Sequence, residues 1–293
     1  MKRKKSSENE KIRVCIFMNT FHVGANILMN KIIRDQNIEI VGIFWKSIWA
    51  TSKNHRQHSL WVGGVKWLRR GGYWFVFGLV GIVIFHFIPI FIVDVLLLGL
   101  IFKGKKYFRS TTRIAQENGI PIFVIQDINE QKTVQKIKSL HPDVILSNSF
   151  VQIIGREILD IPTVGVINIH PGILPVYRGL LPHFWAMVHG DTTLGVTLHY
   201  VDEGVDTGAV IDQKEFTIEA KESFYKVWKK TAHYNSLVLK KYFEQLRKGK
   251  RNWTSSLHNN EHKKTQFFKF PTHEAYRRFI AQGKKMFSLN DFV

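Results

Sequence analysis

Apolar runs of strand length alternate with amphipathic stretches along most of this chain. Ile12–Met18 (IRVCIFM) is almost wholly apolar and rich in β-branched residues. A buried parallel strand needs that composition, because helices cover both of its faces. Ala25–Arg34 sets Ile27, Leu28, Ile32 and Ile33 at helical intervals, and Ile38–Phe44 (IEIVGIF) predicts a second strand. Ser110–Asn118 predicts a helix closed by Gly119 and Pro121. Ile122–Ile125 then predicts a strand, Glu130–Leu140 an amphipathic helix, Val144–Leu146 and Val164–Ile169 two strands, and Pro182–His189 a helix. Val196–Val201 and Ala209–Ile218 predict further strands, and Phe224–Arg247 a long helix. Strands and helices in alternation predict a doubly wound α/β sheet, with the later strands partly antiparallel.

One stretch breaks the alternation. Tyr73–Phe102 is thirty residues without Lys, Arg or Glu, its only ionisable groups being His86 and Asp94. A membrane-spanning helix needs about 20 apolar residues, so the stretch is long enough for one crossing and too short for two. A single crossing would place strands of one sheet on opposite sides of a bilayer. Pro89 lies near the middle, and each arm of a hairpin bent there would be about 22 Å of helix, short of a ~30 Å hydrocarbon core. The lengths predict a re-entrant or in-plane helical hairpin. Lys66, Arg69 and Arg70 precede the run, and Lys103, Lys105, Lys106 and Arg109 follow it, as expected of two ends held at one cytoplasmic membrane face. Trp61, Trp67, Tyr73, Trp74 and Tyr107 are candidate interfacial anchors. The plainer reading is a pair of buried helices or a dimer interface.

Charge sharpens this picture. The 293 residues hold 42 Lys+Arg against 23 Asp+Glu, a formal net charge of +19. Residues 40–116 carry +10 and residues 220–293 carry +12, whereas residues 117–219 carry −7. A basic balance alone suggests nucleic acid, but bases gathered around an apolar insertion fit an anionic membrane surface better. The division expected is a basic solvated tail at 1–11, an α/β domain at 12–248 interrupted at about 60–107, and a short extension at 249–293. No apolar segment of signal-peptide type follows the tail, so a secretory leader is not expected. The lone cysteine, Cys15, falls in a strand and reads as a small core residue.

Candidate chemistry gathers in residues 164–208. Asn168 and His170 lie two apart at the end of an apolar strand, so both point to one side. Strand C-terminal ends form the ligand crevice of open α/β sheets. A loop marked by Pro171, Gly172, Pro175 and Gly179 follows, then a polar turn at 202–208. Amide, imidazole and carboxylate brought together can orient a substrate, move a proton and stabilise an oxyanion.

The run Asn168-Ile-His-Pro-Gly-Ile-Leu-Pro-Val-Tyr-Arg-Gly179, followed by Val201-Asp-Glu-Gly-Val-Asp-Thr-Gly208, resembles the formyltransferases that use 10-formyltetrahydrofolate. Methionyl-tRNA, amino-sugar and glycinamide-ribonucleotide enzymes belong to that family. The resemblance is strong over residues 140–215 and looser in the flanking α/β pattern. It implies a Rossmann-like formyltransferase domain carrying a hydrophobic helical insertion and a short C-terminal extension. It implies Asn168, His170 and Asp206 as the catalytic trio, and Tyr177, Arg178 and Gly179 as the loop bordering the acceptor. The segment Asp143–Ile154 is similar to the family's folate-lining segment, which makes Phe150, Val151, Gln152 and Ile154 folate contacts, with Asp202, Glu203, Gly204 and Val205 opposite. The implied reaction is direct transfer of a formyl group to a primary amine on a small-molecule or lipid-linked acceptor, without a metal.

Departures from the family pattern narrow this. Gly172 stands where many members have Ser. The turn Asn19–Gly24 lacks the Gly-rich loop of the glycinamide-ribonucleotide enzymes. Only about 45 residues follow Arg247, below the size of an independent domain, which disfavours tRNA as acceptor. The tail Phe267–Lys285 shows little strand alternation. A hydrolase releasing formate, or a non-catalytic membrane-associated module, are the alternatives. His55 with His58, and His258 with His262, have ligand-like spacing but no completing carboxylate or thiol, so a metal site is not expected.

Overall fold

The computed structural model describes residues 11–19, 22–46, 68–95, 109–251, 253, 265–288 and 291. Five strands run parallel: β1 (Ile12–Asn19), β2 (Ile38–Lys46), β3 (Ile122–Ile125), β4 (Val144–Ser147) and β5 (Gly165–His170). A short β6 (Tyr177–Gly179) stands outside this sheet. β7 (Thr193–Tyr200) and β8 (Val210–Thr217) extend it antiparallel, in the order β3-β2-β1-β4-β5-β7-β8. The predicted α/β sheet, including its antiparallel late strands, is therefore present.

The apolar runs work as buried parallel strands. Along β1, Val14, Ile16 and Met18 enter one core, and Cys15 and Phe17 enter the other. The first core is roofed by α1 (Val23–Ile32) and by α7 (Phe224–Arg247). The second is covered by α4 (Gln131–Ser139) and α5 (Arg156–Leu159), through Val134, Ile137 and Ile158. α3 (Thr111–Glu117) and α6 (Pro182–His189) complete the helices expected within the domain. Side chains satisfy the first free amides of several helices: Ser110 accepts from Arg113, and Ser223 from Lys226, each at 3.1 Å. Cys15 is a buried core residue whose thiol burial pushes up to about 12.

Two regions differ from the sequence expectation. The apolar insertion is one helix, α2 (Tyr73–Val95), running through Pro89 where a hairpin bend was predicted. A proline removes one amide from the helical ladder, and the bonds on either side can carry the helix past it. Residues 96–108, the rest of the predicted second arm, lie outside the described residues, as do Trp61, Trp67, Tyr107 and the four spaced histidines. Among the described residues, no helix is long and apolar enough to cross a membrane. Instead α2 lies along the domain: Phe75 packs on Phe184, Phe270 and Tyr276, and the ring nitrogens of buried His86 meet Tyr225 Oη at 2.8 Å and Asn26 Oδ1 at 3.2 Å.

The C-terminal segment also holds more structure than its pattern suggests. Gln266–Phe268 forms β9, parallel to β6, and His273–Ala281 forms α8, capped by Thr272. β9 exists because β6 supplies its hydrogen-bond partners, a long-range pairing that three residues cannot announce by alternation.

Candidate active site

Asn168 and His170 project from the C-terminal end of β5 towards the turn that follows β7. Asp206 in that turn reaches both: its Oδ1 lies 3.5 Å from Asn168 Nδ2 and 3.5 Å from His170 Nδ1. Its other oxygen accepts from the Gly179 amide at 2.8 Å, so one carboxylate ties the trio to the β6 loop. The trio expected from the sequence is therefore assembled in space.

The turn is built to deliver Asp206. That residue adopts the left-handed conformation, φ +51°. Asp202 Oδ1 accepts from the Gly204 amide at 3.0 Å and from the Thr207 hydroxyl at 2.6 Å, folding the loop on itself. Gly208 is required by close approach, since a Cβ there would lie 1.9 Å from the Tyr200 carbonyl oxygen. Gly179 is required twice over: its φ is +95°, and a Cβ would fall 2.2 Å from the Phe268 carbonyl oxygen in β9.

His170 is buried, and its Nε2 faces the Tyr177 carbonyl oxygen at 2.5 Å. Because that oxygen only accepts, Nε2 carries a proton and donates. Nδ1 then points to Asp206. His199 completes the cluster from β7, directly across from Asn168 in the strand register. Its Nδ1 donates to the Tyr200 carbonyl at 2.7 Å, which leaves Nε2 to accept from Asn168 Nδ2 at 3.0 Å. Burial, and then the neighbouring His170, push His199 down to about 4, so this ring is a neutral acceptor near neutral pH. His199 was not singled out in the sequence; its role depends on the β5–β7 pairing, which no local motif reveals.

His183, at the start of α6, carries no neighbouring motif and was not singled out either. It is buried with both ring nitrogens unpartnered and stacks on Phe224 at 4.7 Å. Burial, with lesser effects from His22 and His170, pushes it down to about 3. His22 caps α1, accepting from the Ala25 amide at 3.3 Å, and burial lowers it to about 4.

The other expected contacts divide by what their side chains do. Arg178 is half-buried, and its guanidinium donates to the Val205 carbonyl at 2.6 and 3.1 Å, joining the two loops. The Tyr177 ring is buried and its hydroxyl donates to Asp191 at 2.6 Å, so it offers the site its backbone carbonyl. Gln152 supports the loop after β4, accepting from the Ile128 amide at 3.0 Å and donating to Asp127. Ile154 is core, and Phe150 packs on Phe17 at 5.6 Å. These three can border a ligand through backbone atoms. Val151, Glu203 and Val205 are exposed at the crevice rim. Nearby, Asn148 is buried with its Nδ2 unpartnered, a donor left for a group entering the crevice. Among the described residues no cluster of His, Cys, Asp or Glu could hold a metal ion. A cavity of about 740 Å³, lined by Lys138, His141 and Asp160 among others, lies at the opposite end of β4 and plays no part in this site.

Comparison with known proteins bears on the family and the fold. Residues 103–242 match the family profile described as formyl transferase. A methionyl-tRNA formyltransferase of Clostridioides difficile is 42% identical over 118 residues, covering 40% of this chain and 38% of that protein. The chain thus spans about two fifths of that curated relative's length. Among solved structures, glycinamide ribonucleotide transformylase 1 from Geobacillus kaustophilus superposes with a TM-score of 0.53 at 18% identity, covering 81% of this chain and 99% of that one. A sugar N-formyltransferase from a Shewanella species gives 0.50 at 16% identity, covering 88% and 76%. At those identities the likeness is one of fold.

Proposed function

We infer, from a chain that belongs to the formyltransferase family through residues 103–242, that it transfers a formyl group from 10-formyltetrahydrofolate to a primary amine on a sugar or membrane-linked acceptor. The observation that carries the reading is the convergence of Asn168 and His170 on one carboxylate oxygen of Asp206, each at 3.5 Å. Attack of the amine nitrogen on the formyl carbon forms one C–N bond, and departure of the folate N10 breaks another. The amine gives up a proton, and N10 gains one. Negative charge builds on the formyl oxygen between those events. The Asn168 amide is placed to meet that charge: its bond to His199 is short, while its contact with Asp206 is long and replaceable. His170 lies beside it to move the proton, held by the Tyr177 carbonyl on one side and Asp206 on the other. The exposed rim at Val151 and Val205, the loop 202–205 and the unpartnered Asn148 amide suit the pterin-bearing donor, which needs both apolar surface and hydrogen bonds.

The amine side is bounded by the β6 loop, where Arg178 and Gly179 face the Asp206 turn and β9 braces them from behind. The C-terminal segment that braces this loop also packs on α2, which supports an acceptor carried at the cytoplasmic face of a membrane. Incubation with formyl-labelled donor and a panel of amino sugars and lipid-linked amines tests the reading. Label should move to an amine, and Asn168→Ala, His170→Ala and Asp206→Ala should each stop it. Formate released without any acceptor would instead assign a hydrolase, and labelling of methionyl-tRNA would return the acceptor to tRNA.

A further inference from the structure

Helix α2 is apolar on two faces, and the domain uses one of them. Phe75, Ile82 and His86 are buried on the inner face. Gly78 and Gly81 let the C-terminal segment close on the helix; a Cβ at either would meet Met286 at 2.7 Å or Phe287 at 2.9 Å. On the outer side Tyr73, Trp74, Phe77, Val80, Ile84 and Ile88 follow one another at steps of one, three or four residues. At about 100° per residue they form a single stripe roughly 120° wide. Their exposures are 67, 74, 61, 46, 45 and 50%. An apolar stripe of that length facing water marks an interaction surface.

The surroundings say what kind of surface covers it. Within residues 265–288 the bases are Lys269, Arg277, Arg278, Lys284 and Lys285; the single acid, Glu274, is already paired with Arg278 at 2.7 Å. Arg69 is exposed just before the helix. Bulky aromatics at one end of an apolar stripe, on a helix against which a base-rich segment packs, complement the interface of an anionic bilayer. A second copy of this chain would bring the same excess of cations against itself.

We propose that α2 lies flat on an anionic lipid surface through this outer stripe. A helix standing across the bilayer would have to withdraw Phe75 and His86 from the core and break the bonds of His86 to Tyr225 and Asn26. The docked segment continues into the site: Trp185 Nε1 donates to the Lys269 carbonyl at 3.2 Å, and β9 pairs with the Tyr177–Gly179 loop. Lipid docking thereby sets that loop beside the headgroups, a consequence that rests on reading it as the acceptor loop.

Flotation of the full chain with vesicles tests the proposal. Wild type should float with phosphatidylcholine–phosphatidylglycerol vesicles and at least tenfold less with phosphatidylcholine alone. A Trp74→Ser/Phe77→Ser/Ile84→Ser variant should lose binding at least tenfold with an unchanged melting temperature, since all three side chains are exposed. Because Cys15 is buried, fluorophores on Phe77→Cys and Ile88→Cys report depth separately. Equal, shallow quenching by lipid-borne quenchers is expected; a graded depth overturns the flat orientation. Equal flotation of wild type and triple variant overturns the lipid surface as occupant, and so does a wild-type dimer that the variant dissolves while vesicle binding stays absent. Flotation needs no catalysis, so a missing formyl transfer would refute the enzymatic reading and leave this result intact.

Discussion

Two helices of nearly equal length, α2 with 23 residues and α7 with 24, cross the same side of the molecule and meet at His86 and Tyr225. Their inner faces are alike. α7 buries Phe224, Tyr225, Val227, Trp228, Leu239, Tyr242 and Phe243, as α2 buries Phe75 and Ile82. Their outer faces are opposite in kind: α7 presents Lys226, Lys240, Lys241, Glu244 and Arg247 to water, and α2 presents Trp74, Phe77, Ile84 and Ile88. α7 is therefore finished as a surface helix of a globular domain, and α2 is finished only with something apolar against it. Folding accounts for the inner faces; function has to account for the outer one.

The sharpest break in this comparison lies away from both helices. Loss of Asn168 or His170 should reduce formyl transfer about 10³-fold in steady-state assays, the scale for removing a preorganised donor from developing charge, with the variants still folded. Asp206→Ala should fall as far and also lower stability, because the Gly179 amide loses its acceptor.

Next come the two faces of α2. Phe75→Ala should destabilise by about 3–5 kcal/mol in urea unfolding, the usual result of emptying a buried aromatic site. Phe77→Ala, two positions along and 61% exposed, should shift the midpoint by no more than about 0.5 kcal/mol. Equal effects would erase the distinction between an inner and an outer face.

The junction of the two helices makes a pH prediction. Burial, and then the charge of Lys229, push His86 down to about 4, from an ordinary value near 6.5 in the unfolded chain. Between those values the unfolded chain binds the proton more readily, so stability must fall as pH drops from about 6.5 towards 4. From pH 6.5 to 5 one such histidine contributes about 2 kcal/mol of that loss. His86→Leu should start less stable at pH 7, lacking two hydrogen bonds, but should lose less on acidification, read as a shallower change in urea midpoint between pH 7 and 5. The smallest effect belongs to the fringe: Arg278→Ala removes an exposed pair with Glu274 and should cost under about 0.5 kcal/mol.

Much of the molecule was legible without coordinates. The β1 and β2 runs were almost wholly apolar because both sheet faces are covered, and α6 and α7 end where their patterns end. Asn168 and His170 were legible as neighbours because residues two apart on one strand share a side, and Asp206 through the resemblance of the second motif to the formyltransferases. The rest depended on contacts distant in sequence. His199 faces Asn168 across the β5–β7 register, 31 residues away. His183 carries no neighbouring motif, and β9 is a strand only beside β6. For the insertion, hydropathy gave length and apolarity, yet the packing of Phe75, Gly78, Gly81 and His86 decided that the helix runs along the domain rather than turning back at Pro89.

The sequence by itself determined the α/β architecture and the separation of an acidic centre from basic flanks, because periodicity and charge are local properties of a chain, and it pointed to the trio through the resemblance of its two motifs to the formyltransferases. Tertiary structure alone decided which carboxylate oxygen the trio shares, which histidine steadies it, and which face of α2 remains uncovered. Those are matters of register and burial, and both arise only when segments far apart in the chain come into contact.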